Sequence, residues 1–363
     1  MKNTFGNSVA LTIFGESHGE AVGVVLDGLA SGITVDEVEI AKLLSKRRPN
    51  GITDTKRIEK DEFKILSGVF NGKTTGTPIC IVIPNQNTIS KDYDSNLLRP
   101  SHADFVANEK YAGYQDYRGG GHFSGRVTAG IVAVGAILKS ALKDIGINLG
   151  SHILSCAGEK DREFIDFEKD FDTLSRLEFP VLDQNSSQKM QEKILQARND
   201  CDSVGGIIQT AVTGMPVGVG EPWFDSVEGM LSHALFSIGG VKGVEFGLGF
   251  NFADKRASQV NDAFILDGDK IITKTNNNGG INGGITNGMP IVFNCAVKPT
   301  PSISKTQQTV DLKSKTQTEI NISGRHDPAI VRRICPVIES VTALVICDLL
   351  AVKFGTDYIR NGK

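Results

Sequence analysis

The chain has 363 residues, and its 39 Lys and Arg against 42 Asp and Glu give a formal net charge of −3. This near-neutral balance argues against a general nucleic-acid binder, because such proteins normally carry a basic excess. Glycine is abundant at 40 residues, whereas 12 prolines and 40% hydrophobic residues fit a soluble globular protein rather than a disordered Gly/Pro tract.

No segment has the features of a membrane span or of a signal peptide. The longest apolar stretch, residues 129–138, is shorter than the roughly 20 residues that a span requires, and the N-terminus lacks an apolar core before Glu16. The cysteines are scattered without a C-x-x-C pair, so we expect buried small side chains in a reducing cytoplasm, and neither disulfides nor metal ligands. They are Cys80, Cys156, Cys201, Cys295, Cys335 and Cys347.

In the first part of the chain, strand-like and helix-like segments alternate. Residues 22–26 and 79–83 are short β-branched runs that predict strands. Residues 34–48 predict a helix, with Thr34 as N-cap and Glu37 at the capping-box spacing. Residues 126–145 are apolar and rich in small side chains, which predicts a buried helix.

The second part continues this mixed α/β pattern. Residues 159–185 are charged and irregular, so we expect a surface excursion there. Residues 186–200 predict an amphipathic helix, with Met190, Ile194 and Ala197 on one face, and residues 206–213 predict a strand. The helical spacing of apolar residues over 331–352 predicts a long core helix. The sequence has no internal repeat, and we expect one integrated domain over residues 1–363. The periodicity does not determine the order of the strands in its sheets.

Glycine is concentrated in residues 113–125, 239–249 and 279–288, each with five glycines. Glycine permits positive φ and close approach of a ligand, and Gly-rich loops often bind phosphate through backbone N–H groups. Tight turns and bulges are an equally weighted explanation for any single window. None of the windows matches a P-loop or a Rossmann fingerprint.

Nine of the fourteen arginines fall in three short segments. Because the guanidinium group matches phosphate and carboxylate geometry, this clustering near Gly-rich loops favours a polyanionic small ligand. The alternative is solvated surface arginine, which we favour for the pair on the last helix, Arg332 and Arg333. The clusters are Arg47, Arg48 and Arg57; Arg99, Arg118 and Arg126; and Arg325, Arg332 and Arg333.

Four of the six histidines lie beside arginine, aspartate or Gly-rich segments: His18, His102, His122 and His326. Histidine is suited to proton transfer near neutral pH, so their distribution indicates a site, although each alone is more often structural. We expect His152 and His233 to be structural or surface residues.

The pentapeptide of residues 15–19, G-E-S-H-G, mimics the G-x-S-x-G nucleophile elbow. A histidine beside the serine and a position so near the N-terminus both argue against a hydrolase. No H-x-x-x-H or H-E-x-x-H spacing predicts a metal site.

Taken together, nine short blocks resemble the chorismate synthase family in the family order and over nearly the whole chain. The resemblance implies an α+β fold, a β-α-β sandwich in which a helical layer lies between antiparallel sheets, assembled as a homotetramer. The blocks are F-G-E-S-H-G (14–19), K-R-R-P (46–49), R-P-S-H-A-D (99–104), D-Y-R-G-G-G (116–121) with S-G-R (124–126), G-E-P (220–222), V-K-G-V-E (241–245), G-G-I-N-G-G (279–284), K-P-T-P-S (298–302) and G-R-H-D-P (324–328).

The family catalyses anti-1,4-elimination of phosphate and a ring proton from 5-enolpyruvylshikimate 3-phosphate to give chorismate, and it requires reduced FMN. The resemblance implies that His18 protonates the departing phosphate, that His102 protonates the reduced flavin and that Asp327 assists removal of the ring proton. Ser17 and Ser124 match serines that order this network.

The same resemblance implies the ligand contacts. Arg47 and Arg48 match arginines on the substrate or NADPH side. At two of the expected flavin contacts the chain departs from many members, with histidine at position 122 and two glycines at positions 239 and 240. The implied FMN contacts are His122, Phe123, Ser124, Gly239, Gly240, Gly283, Lys298, Pro299, Thr300, Pro301, Ser302 and Arg325.

Two other functions compete with this lyase. One is a flavin-dependent oxidoreductase with net hydride transfer, and the other is a non-catalytic flavin- or metabolite-binding module. No added reductase domain is visible in the sequence, so we expect an external flavin reductase, with NADPH as an indirect reductant. We expect neither a nucleic-acid nor a membrane partner.

Overall fold

The computed structural model describes residues 2–55, 60–86, 95–322 and 326–362. Arg57 of the first arginine cluster and Arg325, an expected flavin contact, lie outside these residues.

The first sheet is built from the N-terminal strands. It is antiparallel, with the order β1-β2-β3-β7-β4. Alternate residues of β7 are buried, namely Ile79, Ile81 and Ile83, so one face of the sheet packs on the core. Both strands predicted in this part of the chain are confirmed. The bounds are β1 Thr4–Phe5, β2 Ala10–Gly15, β3 Ala21–Asp27, β4 Lys64–Ser67, β5 Val69–Phe70, β6 Lys73–Thr74 and β7 Ile79–Pro84.

The second sheet is also antiparallel and has the order β11-β16-β10-β8-β9. The strand predicted over residues 206–213 is its central strand β10. The pairs β12–β13, β14–β15 and β17–β18 are separate hairpins. The bounds are β8 Asn148–Cys156, β9 Glu159–Lys160, β10 Gly206–Thr213, β11 Val241–Phe246, β12 Phe264–Asp267, β13 Lys270–Thr273, β14 Ile281–Asn282, β15 Ile285–Thr286, β16 Ile291–Val297, β17 Gln307–Asp311 and β18 Thr316–Ile320.

A helical layer lies between the two sheets. Helix α3 contacts β3 and β7 of the first sheet and β8 of the second, while α8 contacts β2 as well as β8 and β10. The predicted sandwich of helices between antiparallel sheets is therefore confirmed. The helices are α1 Glu37–Arg47, α2 Asp104–Lys110, α3 Thr128–Asp144, α4 Phe167–Arg176, α5 Gln184–Asn199, α6 Val227–Leu235, α7 Ala257–Val260, α8 Val331–Phe354 and α9 Tyr358–Asn361.

The helices α3 and α8 pack closely because small residues face each other at their crossing. A Cβ atom on Gly135 of α3 would lie 2.1 Å from the Oγ of Ser340 on α8. The helical spans Gly125–Asp144 and Val331–Phe354 are long and apolar enough to cross a membrane, but 67% and 94% of their apolar stretches are buried within the protein. Their apolar character is thus accounted for by the core that they form.

The start of α1 corrects one sequence-based prediction. The N-cap is Asp36, whose carboxylate accepts a hydrogen bond from the backbone N–H of Val38 at 2.8 Å. Thr34 does not cap the helix, because it lies in extended backbone bridged to Lys73. Tertiary pairing of that backbone therefore moves the N-cap by two residues, from Thr34 to Asp36.

Residues 159–185 are more ordered than the sequence suggested. They contain β9 and the helix α4, whose N-cap Asp166 accepts the backbone N–H of Lys169 at 3.2 Å. The rings of Phe164, Phe167 and Phe171 pack together and give the segment its own apolar contact. The segment is therefore not irregular, although most of its residues are exposed or half-buried, as expected for a surface excursion.

Two expectations about side chains have mixed outcomes. Helix α5 buries Met190, Ile194 and Ala197, as its spacing predicted. Four cysteines are buried, but Cys80 is half-buried and Cys201 is exposed, so the prediction of buried cysteines is wrong at position 201.

Candidate active site

The glycine-rich loop of residues 119–121 packs directly against His18. All three glycines have positive φ, at 59°, 84° and 53°. A Cβ atom on Gly119 would lie 2.1 Å from Cε1 of the His18 ring, and one on Gly121 would lie 2.0 Å from the carbonyl oxygen of Asp116. Glycine is therefore required at both ends of the triplet, by backbone conformation and by contact.

Ser17 fixes the orientation of the His18 ring. Ser17 is 3% exposed, and its hydroxyl lies 3.2 Å from Nδ1 of His18 and 3.2 Å from the carbonyl oxygens of Arg118 and Gly119. The hydroxyl has a single proton, which these carbonyl oxygens accept, so Nδ1–H of His18 is the donor to Ser17. In the protonated ring, the proton on Nε2 is therefore the one available for transfer while Nδ1–H stays on Ser17.

The residues after the triplet extend the same site. His122 donates from Nδ1 to the carbonyl oxygen of Gly15 at 2.8 Å, which ties the loop to the end of β2. Phe123 is 48% exposed and meets the ring of Tyr111 edge to face, with centroids 6.1 Å apart. Ser124 caps the following turn by accepting the N–H of Arg126 at 3.3 Å.

A second group of expected site residues surrounds His102. Its Nε2 lies 2.8 Å from the hydroxyl of Ser302. The Lys298 ammonium donates to the carbonyl oxygen of Ser101 at 2.9 Å, and the Lys298 N–H donates to that of Gly240 at 2.9 Å. The structure thus brings together three segments that are far apart in the chain. Helix α2 and the ring pair Tyr111–Phe123 connect this group to the glycine loop.

The histidines of the His102 group, His102 and His326, have pKa values below the usual value for histidine. Burial, and next the nearby Arg99 guanidinium, lower the pKa of His102 from 6.5 to about 4. Burial also lowers the pKa of His326, which lies within electrostatic range of His102. Both imidazoles are therefore neutral at pH 7.

Two of the clustered arginines form local bidentate pairs. Arg99 donates from Nε and Nη2 to Asp104 at 2.9 and 2.7 Å, and Arg118 donates to Asp116 at 2.8 and 2.9 Å. The hydrogen bond from Arg118 holds the pKa of Asp116 below its usual value. These pairs set the shape of the loops that carry His102 and the glycine triplet.

Arg47 and Arg126 share the buried carboxylate of Asp61. Arg47 Nη2 donates to Oδ2 at 2.8 Å, and Arg126 Nη1 pairs with Oδ1. Burial alone would raise the pKa of Asp61, but the two guanidinium groups outweigh it and hold that pKa below its usual value. Arg48 points to the backbone instead and donates to the carbonyl oxygen of Lys60 at 2.6 Å.

Arg332 and Arg333 are not solvated surface residues, which corrects the expectation for the last helix. Arg332 is 5% exposed and pairs with the buried carboxylate of Asp54. Arg333 pairs with Asp327 and also donates from Nε to the carbonyl oxygen of Arg47 at 2.8 Å. The first turn of α8 packs against the segment after α1, and these contacts bury Arg332 and leave the Arg333 side chain only 17% exposed.

Asp327, the expected aid to proton removal, lies at this junction. Its Oδ1 accepts the backbone N–H of Thr55 at 3.1 Å, and its Oδ2 pairs with Arg333. Through Arg333 it is connected to the backbone of Arg47, so two expected site residues from opposite ends of the chain are brought together.

The remaining expected flavin residues are spread over two places. Thr300 follows Lys298 and is held by the Ser203 hydroxyl, which donates to the Thr300 carbonyl oxygen at 2.7 Å. Gly283 lies instead in the β14–β15 hairpin, which hydrogen-bonds to Val219 and Val227. The flanking Pro299, Pro301 and Gly239 belong to the Lys298–Gly240 segments.

Sequence reasoning missed two buried carboxylates, Asp54 and Asp61. The stretch around Asp61, E-K-D-E, has the composition of a solvated charged surface. Only the fold shows that two distant arginines converge on it, and no local pattern indicates this.

A pocket of about 170 Å³ lies on the other side of α1, lined by residues that include Lys46, Lys139, Phe171 and Glu339. It shares Arg332 with the groups above but includes none of the expected catalytic residues. Within residues 2–55, 60–86, 95–322 and 326–362, no group of three His, Cys, Asp or Glu side chains is arranged to hold a metal ion.

Comparison with known proteins gives one consistent result. The family model for chorismate synthase matches residues 9–351. The chorismate synthase of Methanococcoides burtonii is 45% identical over 349 residues, covering 95% of each chain. That of Pyrococcus abyssi is 45% identical over 348 residues, covering 95% of this chain and 96% of the relative.

A solved structure agrees with these relatives. A crystal structure of chorismate synthase superposes with a TM-score of 0.76 at 30% identity, and the match covers 97% of this chain and 94% of that one. The chain therefore belongs to the chorismate synthase family of lyases.

Proposed function

We propose that this chain eliminates phosphate and a ring proton from 5-enolpyruvylshikimate 3-phosphate in the anti-1,4 sense, giving chorismate, with reduced FMN bound. The observation that carries the proposal is the His18 ring, which the buried Ser17 holds through Nδ1 against the glycine triplet. A fixed imidazole with one committed nitrogen is what a general acid needs.

His18 acts on the leaving group. Nε2–H of the protonated ring donates to a phosphate oxygen as the C–O bond breaks, and Nδ1–H stays on Ser17 throughout. Asp116 supports the cationic form, because its carboxylate lies within electrostatic range of His18. Transfer of the proton leaves a neutral Nδ1–H tautomer, which the Ser17 contact already favours.

Arg47, Arg48 and Arg126 bind the negative charges of the substrate. This substrate has two carboxylates and a phosphate, and Arg47 and Arg126 already converge on one carboxylate, that of Asp61. Guanidinium groups that face a common centre suit a ligand with several oxyanions. Ser124, at the turn that presents Arg126, orders this side of the site.

The residues around Lys298 fit a flavin with an anionic tail. The buried Thr300 hydroxyl and His326 Nε2 have no hydrogen-bond partner among the described residues, so each can accept a ligand contact. Lys298 supplies a positive charge within electrostatic range of His102, and Gly240, at φ 101°, leaves room for close approach. Reduced FMN bound there would supply electron density to the substrate ring.

His102 and Asp327 serve the proton balance of the reaction. His102 can pass a proton between a bound ligand and Ser302, with which its Nε2 shares a hydrogen bond of 2.8 Å. Its low pKa means that it becomes a proton donor only when an anionic ligand lies beside it. Asp327, held by Arg333 and Thr55, is the carboxylate placed to assist loss of the ring proton.

The wider setting completes the proposal. We expect one domain over residues 1–363, a homotetramer in the cytoplasm, and an external flavin reductase that draws on NADPH. His122, Phe123, Gly239, Gly283, Pro299, Pro301 and Arg325 would complete the FMN contacts.

An anaerobic assay tests this proposal against its closest rival. Reduced FMN and 5-enolpyruvylshikimate 3-phosphate are added with and without NADPH, and phosphate, chorismate and flavin absorbance are followed together. Many turnovers of phosphate release with unchanged flavin absorbance are expected. Flavin oxidation in step with product formation would instead identify an oxidoreductase with net hydride transfer. The absence of any product would indicate a non-catalytic binding module.

A further inference from the structure

The turn between β2 and β3 carries both Ser17 and His18. A hydrogen bond from the backbone N–H of Gly19 to the carbonyl oxygen of Glu16, at 3.1 Å, closes this turn, so Ser17 and His18 are its two corner residues. The backbone N–H of Ser17 donates to the carbonyl oxygen of Gly121 at 3.1 Å, which ties the turn to the glycine triplet on one side. The place of the His18 ring therefore depends on what holds the turn as well as on the Ser17 hydroxyl.

The register of the first sheet places Asn85 on the other side of this turn. Strand β7 ends at Pro84, which pairs with Ala21 at the start of β3. The next residue, Asn85, donates its backbone N–H to the carbonyl oxygen of Glu20 at 2.9 Å. Because the two strands are antiparallel, the end of β7 lies beside the beginning of β3, and the sheet itself brings Asn85 to the turn.

The side-chain amide of Asn85 uses both of its polar groups. Its Nδ2 donates to the carbonyl oxygens of Glu16 and Gly19, each at 2.9 Å. Its Oδ1 accepts a hydrogen bond from Nε of Arg126 at 2.9 Å. The partners determine the orientation of the amide, because carbonyl oxygens only accept and a guanidinium group only donates. Aspartate has the same length but offers no donor for the two carbonyl oxygens.

Arg126 is itself held by other contacts. Its Nη2 donates to the carbonyl oxygen of Pro84 at 3.1 Å, and its Nη1 pairs with the buried carboxylate of Asp61. Its side chain is only 8% exposed. The amide of Asn85 therefore joins a guanidinium group that is held in place to the turn that carries His18.

We propose that Asn85 is a positioning residue that fixes the His18 turn relative to Arg126. That the turn carries the acid of the reaction, and that Arg126 contacts an anion of the substrate, rests on the function proposed above, whereas the fixing of the turn does not. A general acid must lie within hydrogen-bond distance of the atom that receives its proton, and a displacement of about 1 Å can cost about a hundredfold in rate. Asn85 maintains this distance through the backbone of the turn.

The test compares wild type, Asn85→Asp and Gln86→Glu by anaerobic steady-state phosphate release with reduced FMN and 5-enolpyruvylshikimate 3-phosphate. Aspartate keeps an acceptor for Arg126, but it places a carboxylate oxygen against two carbonyl oxygens that need donors. We expect kcat to fall about a hundredfold in Asn85→Asp, with KM nearly unchanged because Arg126 keeps its partner. Gln86→Glu is the matched control: it makes the same amide-to-acid change at the next residue, which is exposed, and should keep the kcat of wild type.

A kcat for Asn85→Asp equal to that of Gln86→Glu would overturn the proposal and leave Asn85 a structural residue at the end of β7. A loss confined to KM would also overturn it, since Asn85 would then act on ligand affinity alone. If Asn85→Asp does not fold, Asn85→Ala takes its place, because it removes the donors without adding a charge. The same loss of kcat is expected in Asn85→Ala, and a wild-type kcat there would count against the proposal.

The ring nitrogens of His18 give a second readout that needs no turnover. In chains labelled with 15N-histidine, their chemical shifts report which nitrogen carries the proton, and the Ser17 contact favours Nδ1–H in wild type. A displaced turn weakens this contact, so the His18 signals should change in Asn85→Asp but not in Gln86→Glu. If wild type releases no phosphate, the proposed function fails and these signals alone decide. Identical His18 signals in all three chains would then overturn the inference.

Discussion

At the scale of single residues, Gly119 and His18 constrain each other. The ring occupies the space that any side chain at position 119 would need, so the loop and the proposed acid form one unit. The sequence predicted both residues as site members, through the glycine window and the histidine neighbourhood. It could not predict their contact, because more than a hundred residues separate them.

Gly119→Ala should abolish most activity while leaving the fold intact. The added Cβ would lie 2.1 Å from the His18 ring, at a φ of 59° that alanine adopts poorly, so the ring must move. We expect kcat to fall by about a hundredfold or more, within the usual range for losing a general acid. Gly125→Ala is the control, since no atom lies within 4 Å of its added Cβ. Equal kcat values for the two variants would contradict this account.

The low pKa of His102 makes folding stability depend on pH. The folded chain binds this proton only near pH 4, whereas the unfolded chain binds it near pH 6.5. Between these values the unfolded state holds more protons, so the contribution of His102 to stability is present above pH 6.5 and is lost as pH falls toward 4. Urea unfolding of wild type and His102→Gln at pH 7.5 and 5 measures this. The variant should lose less stability on acidification, and an equal loss would argue against the shift.

At the scale of elements, local patterns predicted the helices well but their ends less well. The apolar spacing of α5 and α8 is visible in the sequence. Helix α5 buries one stripe of residues, and α8 is buried on nearly all sides. The start of α1 depends on whether Thr34 is extended, which is decided by its pairing with Lys73 from another strand. Burial of Arg332 and Arg333 depends in the same way on distant carboxylates.

Alanine substitutions at the two candidate caps distinguish them. Asp36→Ala removes the acceptor for the first N–H groups of α1 and should cost about 1 kcal/mol of the free energy of unfolding. Thr34→Ala should cost clearly less, since Thr34 caps no helix. Chemical denaturation of the two variants gives the comparison, and a larger loss at Thr34 would restore the capping box that the sequence suggested.

At the scale of the whole molecule, apolar surface supports the proposed homotetramer. One face of the β12–β13 hairpin carries Phe264, Leu266 and Ile271, which are 72%, 74% and 66% exposed in the single chain. Exposed apolar clusters of this kind are typical of surfaces between subunits. The family fold was recognisable from the motif blocks, whereas strand order and these surfaces follow from pairing that periodicity does not encode.

Leu266→Glu should shift the assembly toward smaller species, because it places a charge in the middle of that apolar face. Light scattering coupled to size exclusion measures the mass of wild type and variant. Ile265→Glu, on the opposite face of the same strand, is the control. A variant Leu266→Glu that keeps the mass of wild type would remove this hairpin from the interface.

The most direct test of the central claim is a single-turnover measurement under anaerobic conditions, with reduced FMN and excess enzyme over 5-enolpyruvylshikimate 3-phosphate. Wild type and His18→Asn are compared by the rate of phosphate release, with substrate affinity measured separately. The account predicts a rate at least about a hundredfold lower in His18→Asn, with affinity nearly unchanged. Phosphate release at the wild-type rate in His18→Asn would contradict it.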